Sequence, residues 1–309
     1  MSYEGNMLEE FAMPSRQSVE KALLETLFRH NGTVKEFSSG EEIVTEIANM
    51  FTLTHEQRIA VLERVYRKEN RVVKTPLWHR LLFRAADSLA KQGLVTKPTT
   101  TIKLTNKREW MLTEKGYDAA LHQLNISVDK KFTLPVKSYE VQRGIKKIIE
   151  AERPVDYCPV SSMKKRKIVT TKTNIRSRIF RQAVIESYGY KCSVCGLMIQ
   201  SPDLKYWEVE AAHIVPHGLN GKDDIWNGIA LCHFHHWAFD VGWFSLTNDY
   251  RIEMSSKIDE LPSEHGKIDS YDFFRQSLIQ NKIILLPANR QLIPHEKSIE
   301  WHREYVFLP

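Results

Sequence analysis

Apolar residues recur at helical spacing through the first third of the chain. Between Gln17 and Arg29, Val19, Ala22, Leu23 and Leu27 share a face, and Asn31-Gly32 stops the run. Ser38-Ser39-Gly40-Glu41-Glu42 caps a second helix that reaches about Met50. Thr54 with Gln57 is the capping-box pattern that starts a third. Pro76 opens a fourth near Leu77, with Trp78, Leu81, Leu82, Ala85 and Leu89 on one stripe and Gly93 at its end. The pattern then shortens. Leu94-Val95-Thr96, Ile102-Lys103-Leu104 and Trp110-Met111-Leu112 read as strands of a hairpin, before Thr113-Glu114-Lys115-Gly116-Tyr117 begins a last helix. Residues 1–14, ahead of all this, read as a flexible leader.

From Ile126 to Ser162 the periodicity loosens, with one linker helix expected over Lys137 to Glu152, bounded by Pro135 and Pro154. Trp207-Glu208-Val209-Glu210-Ala211 alternates apolar and charged, as a half-buried strand does. Asn227-Gly228-Ile229-Ala230-Leu231 is a second short strand opened by a turn signal, and a helical segment follows from Cys232 to Asp240. Trp243 to Leu246 and Tyr250 to Ile252 read as a hairpin around Thr247-Asn248-Asp249. No internal repeat appears.

Composition narrows the class. With 309 residues the chain is long enough for two domains, and 42% hydrophobic content describes a globular protein with ample core. No stretch approaches the roughly eighteen apolar residues of a membrane span. Met1-Ser2-Tyr3-Glu4-Gly5 does not open a secretory signal, so a cytoplasmic location is expected. Four cysteines exclude a disulfide framework. A net charge of +6 favours a polyanionic partner, and no membrane. Ser161 to Arg181 concentrates that charge: Lys164, Lys165, Arg166, Lys167, Lys172, Arg176, Arg178 and Arg181 occur with no acidic residue among them. A charge run is usually a solvated face, but this one is suited to riding a phosphate backbone.

The candidate chemistry lies after that run. Cys192-x-x-Cys195 and Cys232-x-x-His235 are two knuckles whose sum is a tetrahedral Cys3His set of the structural Zn2+ type. His235 is the expected zinc ligand, because helical neighbours point about 100° apart and His236 is in phase with Asp240. His236 and Asp240, four apart on a helix, can grip one divalent cation, and His213, ending the first strand, can face that ion. A base and a cation are what phosphodiester hydrolysis needs.

The stretch from Glu208 to Phe244, with its order His213, Asn227, His236 and its ending His236-x-x-Phe239-Asp240-x-Gly242, resembles the HNH family of endonucleases and, within it, the branch found in restriction enzymes. The resemblance implies a ββα-metal hairpin in which His213 is the general base, Asn227 pins the loop between the strands, and His236 binds a catalytic Mg2+ or Mn2+ with Asp240. Many HNH proteins carry Asp or His just before the base, where this chain has Ala212. Water and DNA phosphate would then complete the shell, or Asp223 or Asp224 would reach in.

Two further likenesses frame that segment. The run A-D-S-L-A-K-Q-G-L-V followed by W-M-L-T-E-K-G resembles the amino-terminal winged-helix domain of Mrr-type restriction proteins, and implies a DNA reader with Arg80, Arg84 and Lys91 on the face of its fourth helix opposite the apolar stripe. The tail from Leu286 resembles the cap of the same HNH branch, with His302 and Arg303 in packing or phosphate contacts.

The expected architecture is therefore α+β: a leader (1–14), a winged-helix reader (15–125), a linker with a helix and the basic run (126–171) and a zinc-stapled HNH nuclease domain (172–309). The expected activity is metal-dependent hydrolysis of double-stranded DNA of restriction type, by a homodimer, since one HNH site normally cuts one strand. Restriction proteins of this kind often cut only methylated DNA; the alternative is protection by a separate methyltransferase. Two other readings stand beside it: a zinc-stabilised DNA-binding regulator with a decayed site, and a nicking or mobile-element nuclease.

Overall fold

In the computed structural model the segment read as a flexible leader carries a helix, α1 (Tyr3–Glu10). Two contacts fix it there. Met7, Leu8, Phe11 and Met13 pack on a small cluster of Ala60, Leu62 and Leu77. Glu4, buried, pairs with Arg80 at 2.7 Å and Arg84 at 2.8 Å. The structure describes residues 3–38, 40–66, 71–132, 134–161, 170–203, 206–260 and 276–309. They fall into two units, Met1–Arg143 and Gly144–Pro309.

In the first unit α2 (Arg16–Arg29) starts at Ser15, whose hydroxyl accepts from Ser18 N at 3.1 Å, and buries Val19, Leu23 and Leu27. After β1 (Thr33–Lys35) and α3 (Glu41–Met50), the expected capping box forms: Gln57 N donates to Thr54 Oγ1 at 3.3 Å, and Thr54 N to Gln57 Oε1 at 2.8 Å. The helix it starts, α4 (His55–Ile59), is short. An antiparallel hairpin that the helical reading passed over follows, β2 (Val61–Tyr66) with β3 (Arg71–Pro76), Val61 facing Pro76. Next, α5 (Leu77–Lys91) buries the full predicted stripe, Leu77, Trp78, Leu81, Leu82, Ala85 and Leu89.

One expectation about the following hairpin fails. Strands β4 (Val95–Thr96) and β5 (Glu109–Leu112) do pair, but Ile102-Lys103-Leu104 lies between them in a helix, α6 (Pro98–Thr105). Pro98 sits in its first turn, where a missing N–H costs nothing, and the hydroxyls of Thr101 and Thr105 donate to the carbonyls four residues back. The sheet has the order β1-β5-β4, all antiparallel. The last helix, α7 (Glu114–Gln123), begins at Thr113, and Gly116 is required there: a Cβ would lie 1.8 Å from Leu94 O.

The linker helix is α8 (Tyr139–Ile149), across the division between units. In the second unit α9 (Thr170–Ser187) packs Phe180, Ala183 and Val184 inward against an antiparallel hairpin, β6 (Val209–His213) with β7 (Gly228–Cys232). α10 (His233–Asp240) follows directly, then β8 (Phe244–Leu246) and β9 (Ile252–Met254), paired as expected around Thr247 to Asp249. The C-terminal helix Glu296–Tyr305 closes the unit by laying buried His302 on the Phe239 ring, centroids 3.6 Å apart. No helix among the described residues is long and apolar enough to cross a membrane.

Candidate active site and metal centre

Strand β6 delivers His213 at its last residue, opposite Gly228 in the register. The chain then turns through a loop whose two sides are fastened by one side chain. Asn227, fully buried, accepts from Val215 N at 2.8 Å through Oδ1, and its Nδ2 donates to Val215 O and Lys222 O, both at 3.0 Å. An asparagine does this because its amide offers donor and acceptor at once; aspartate would lack the donors. Gly228 cannot carry a side chain, since a Cβ would come within 2.4 Å of Val184 and 3.0 Å of Phe180. That absence lets α9 close on the strand end.

His213 is held on two sides. Phe180 stacks on the ring at 3.9 Å between centroids and 18° between planes. Nε2 is 3.1 Å from Asp223 Oδ1, and because a carboxylate only accepts, Nε2 carries the proton and Nδ1 keeps the basic lone pair. The same oxygen takes a second hydrogen bond, from His217 Nδ1 at 3.1 Å. Neither carboxylate expected to complete the shell of the His236/Asp240 ion is seen beside that pair: Asp223 is engaged by His213 and His217. Asp224 instead accepts from the Tyr157 hydroxyl at 2.5 Å, and its own burial raises its pKa.

His236 shows a parallel arrangement on α10. Nδ1 lies 2.9 Å from Glu210 Oε2, and Nε2 lies 3.5 Å from Asp240 Oδ2. Glu210 precedes Ala212 by two on the same strand face, and was not singled out from sequence. The signal was the strand alternation itself, with Ala212 fully buried beneath. The hydrogen bond with Glu210 raises the His236 pKa, and its counterpart lowers that of Glu210. Burial raises the Asp240 carboxyl, while His236, Glu210 and His213 all lie near enough for their charges to act on it. Glu210 thus fixes the Nδ1–H tautomer and turns the Nε2 lone pair toward Asp240, the usual support of a metal-bound imidazole.

Cys192, Cys195, Cys232 and His235 converge on one point, their donor atoms all within 4.8 Å of one another. His235 Nδ1 is 3.6 Å from Cys192 Sγ, close to the roughly 3.5 Å edge of a tetrahedron with zinc–sulfur bonds of about 2.3 Å, and 3.0 Å from Cys232 Sγ, which is shorter than that edge. His236 is directed away, to Glu210. The set can hold zinc.

The candidate DNA contacts are dispersed. Arg80 and Arg84 are both engaged by Glu4, and Lys91 pairs with Asp87 at 3.6 Å. Lys164, Lys165, Arg166 and Lys167 lie outside the described residues. Arg178 is buried on α9, whereas Arg181, half-buried, is near enough to feel the Glu210 charge while burial lowers its own pKa. Arg303 donates to Leu246 O and Asn248 Oδ1, both at 2.6 Å, and so braces the turn after β8.

Residues 192–247 match the family model for HNH endonucleases. Among solved structures, the chain is similar to a modification dependent TagI restriction endonuclease, 21% identical, over 46% of this chain and 44% of that one, with a TM-score of 0.31. It spans less than half the length of that protein. No curated protein matches the chain.

Proposed function

We propose that this protein is a metal-dependent DNA endonuclease of restriction type. The observation that supports it most is the pairing, within the HNH-family segment, of a histidine whose Nε2 is engaged by Asp223, leaving Nδ1 as the basic nitrogen, and a second histidine turned toward a carboxylate. His213 Nδ1 takes a proton from the attacking water, while Asp223 accepts from Nε2 and stabilises the imidazolium that forms. Phe180 and Asn227 keep the ring and its loop in place, so no reorientation precedes attack. His236 Nε2 and Asp240 would hold Mg2+ or Mn2+, and the donor set, one imidazole and one carboxylate with room for water and phosphate oxygen, fits such an ion. A cation held there would supply neutralisation of the charge growing on the phosphate and leaving oxygen. Arg181, near Glu210, would meet the same phosphate.

The zinc set serves as a staple, joining the approach to β6 with the start of α10. For the amino-terminal unit we favour a winged-helix reader. Support comes from the antiparallel sheet β1-β5-β4 with β5 central, set among α2, α3 and α5; α4 and the β2–β3 hairpin between α3 and α5, and α6 between β4 and β5, are additions to that plan. A methylated sequence read there, with cleavage by a homodimer in the cytoplasm, would spare unmodified host DNA without a partner methyltransferase.

The test is incubation of methylated and unmethylated plasmids with the full chain and Mg2+ or Mn2+, read on a gel. Cleavage of methylated plasmid alone is the expected result. Equal cutting of both would point to a partner methyltransferase, and no cutting with either ion would remove the nuclease reading.

A further inference from the structure

Beside the site sits a second group of donors that the hydrolytic chemistry does not use as a set. His213, His217 and Asp223 bring their ligand atoms within 4.8 Å of one another. Asp223 Oδ1 is 3.1 Å from His213 Nε2 and 3.1 Å from His217 Nδ1. A tetrahedral ion with bonds of about 2.0–2.1 Å to nitrogen and oxygen has ligand edges of about 3.3 Å. The two hydrogen bonds can therefore be exchanged for metal bonds with shifts of a few tenths of an ångström.

The scaffold under these donors is built rather than incidental. His213 ends β6 and stacks on Phe180; His217 opens a 3-10 turn, His217–Leu219; Asp223 lies on the returning limb. Asn227 ties the two limbs together through Val215 and Lys222, and Gly221 packs so closely that a Cβ would lie 1.8 Å from Val215 O. Three donors on one pinned loop leave a fourth tetrahedral position for water, and His217 is half exposed, which gives an ion its entry path.

We propose that His213, His217 and Asp223 form a binding site for a transition-metal dication of the Zn2+ or Ni2+ type, distinct from the Cys3His staple and from the His236/Asp240 pair, and that its occupancy turns the base off. Two imidazoles and one carboxylate favour such ions over Mg2+, which prefers oxygen donors. When Nε2 of His213 becomes a ligand, the ring proton moves to Nδ1. That is the nitrogen which would have accepted the proton from water, so an occupied site has no base. The switch rests on the nuclease reading; the binding site does not.

Zinc-loaded full-length protein, its first equivalent already in place, is titrated with further Zn2+ against a chromophoric chelator. The wild type is expected to take up a second equivalent, and His217→Asn and Asp223→Asn to hold it at least about 10-fold more weakly while keeping the first. Uptake that stops at one zinc per chain, or a second zinc held equally tightly by both variants, would overturn the site. In a parallel assay with excess Mg2+, the second equivalent should suppress DNA cleavage by the wild type, and a higher zinc concentration should be needed for His217→Asn. Undiminished cleavage by protein with its second zinc bound would overturn the switch. No cleavage under any condition would count against the nuclease reading alone, because the titration contains no DNA.

Discussion

On the roles proposed for them, His213 and His236 would do different work with the same ring, and the carboxylate that each one faces would decide which. Replacing the base removes proton transfer but no metal ligand of the catalytic pair. His213→Ala should therefore cut DNA about 10²-fold or more slowly while DNA binding, read by gel shift, is unchanged. Asp240→Asn should instead weaken the divalent ion, so that raised Mn2+ restores part of its rate and none of that of His213→Ala. Glu210→Gln keeps the shape of the strand but can present its amide NH2 to His236, which no longer favours the Nδ1–H tautomer. Affinity for the catalytic ion is expected to fall about 10–100-fold, by calorimetry with Mn2+, with the thermal unfolding midpoint nearly unchanged. Recovery of the wild-type affinity in Glu210→Gln would show that the hydrogen bond at 2.9 Å does not orient the ring.

At the scale of elements, much of the site was legible because its residues are tied to short, strongly patterned segments. Alternation before His213 and the i, i+4 step from His236 to Asp240 place those side chains without tertiary information. Glu210, Asp223 and His217 were not legible as partners, since their roles depend on which face of a strand and which limb of a loop a fold brings together. The same limit hid the β2–β3 hairpin: Val61, Leu62 and Val65 satisfy either a short strand or a continued helix until Leu62 is seen packed with Ala60 and Leu77. Ile102-Lys103-Leu104 failed in the opposite sense, a β-like triplet that continues a helix begun by Pro98 in its first turn. The helix that ends the chain supports a prediction of its own. His302 is buried between the Ser245 hydroxyl at 2.8 Å and Phe239 O at 3.1 Å, and burial lowers its pKa to about 4. The unfolded chain, with a histidine near 6.5, binds the proton first, so the stability that neutral His302 provides is complete above about pH 6.5 and is lost as pH falls toward 4. The loss is at most about 3.5 kcal/mol. Urea midpoints measured between pH 7 and pH 4 should fall less steeply in His302→Gln, and an equal slope would refute the assignment.

For the whole molecule, charge and metal set how the protein meets DNA and how it survives handling. In the amino-terminal unit, Glu4 occupies both arginines that the reader would turn to DNA. Glu4→Gln should tighten binding to a duplex and steepen its salt dependence by about one phosphate contact or more, as counterion release requires; an unchanged slope would mean that Arg80 and Arg84 serve α1 alone. In the carboxy-terminal unit, Cys195→Ser should lose tightly held zinc, measured by elemental analysis, together with folding and activity, because binding energy at such a site is folding energy. The staple also has a topological effect. Cys192 and Cys195 precede β6, Cys232 ends β7 and His235 follows it, so an ion on these four closes the chain into a ring that contains His213, Asp223 and Asn227. A protease that nicks the ring once does not separate the pieces: they should migrate as one particle until a chelator is added, and only then part.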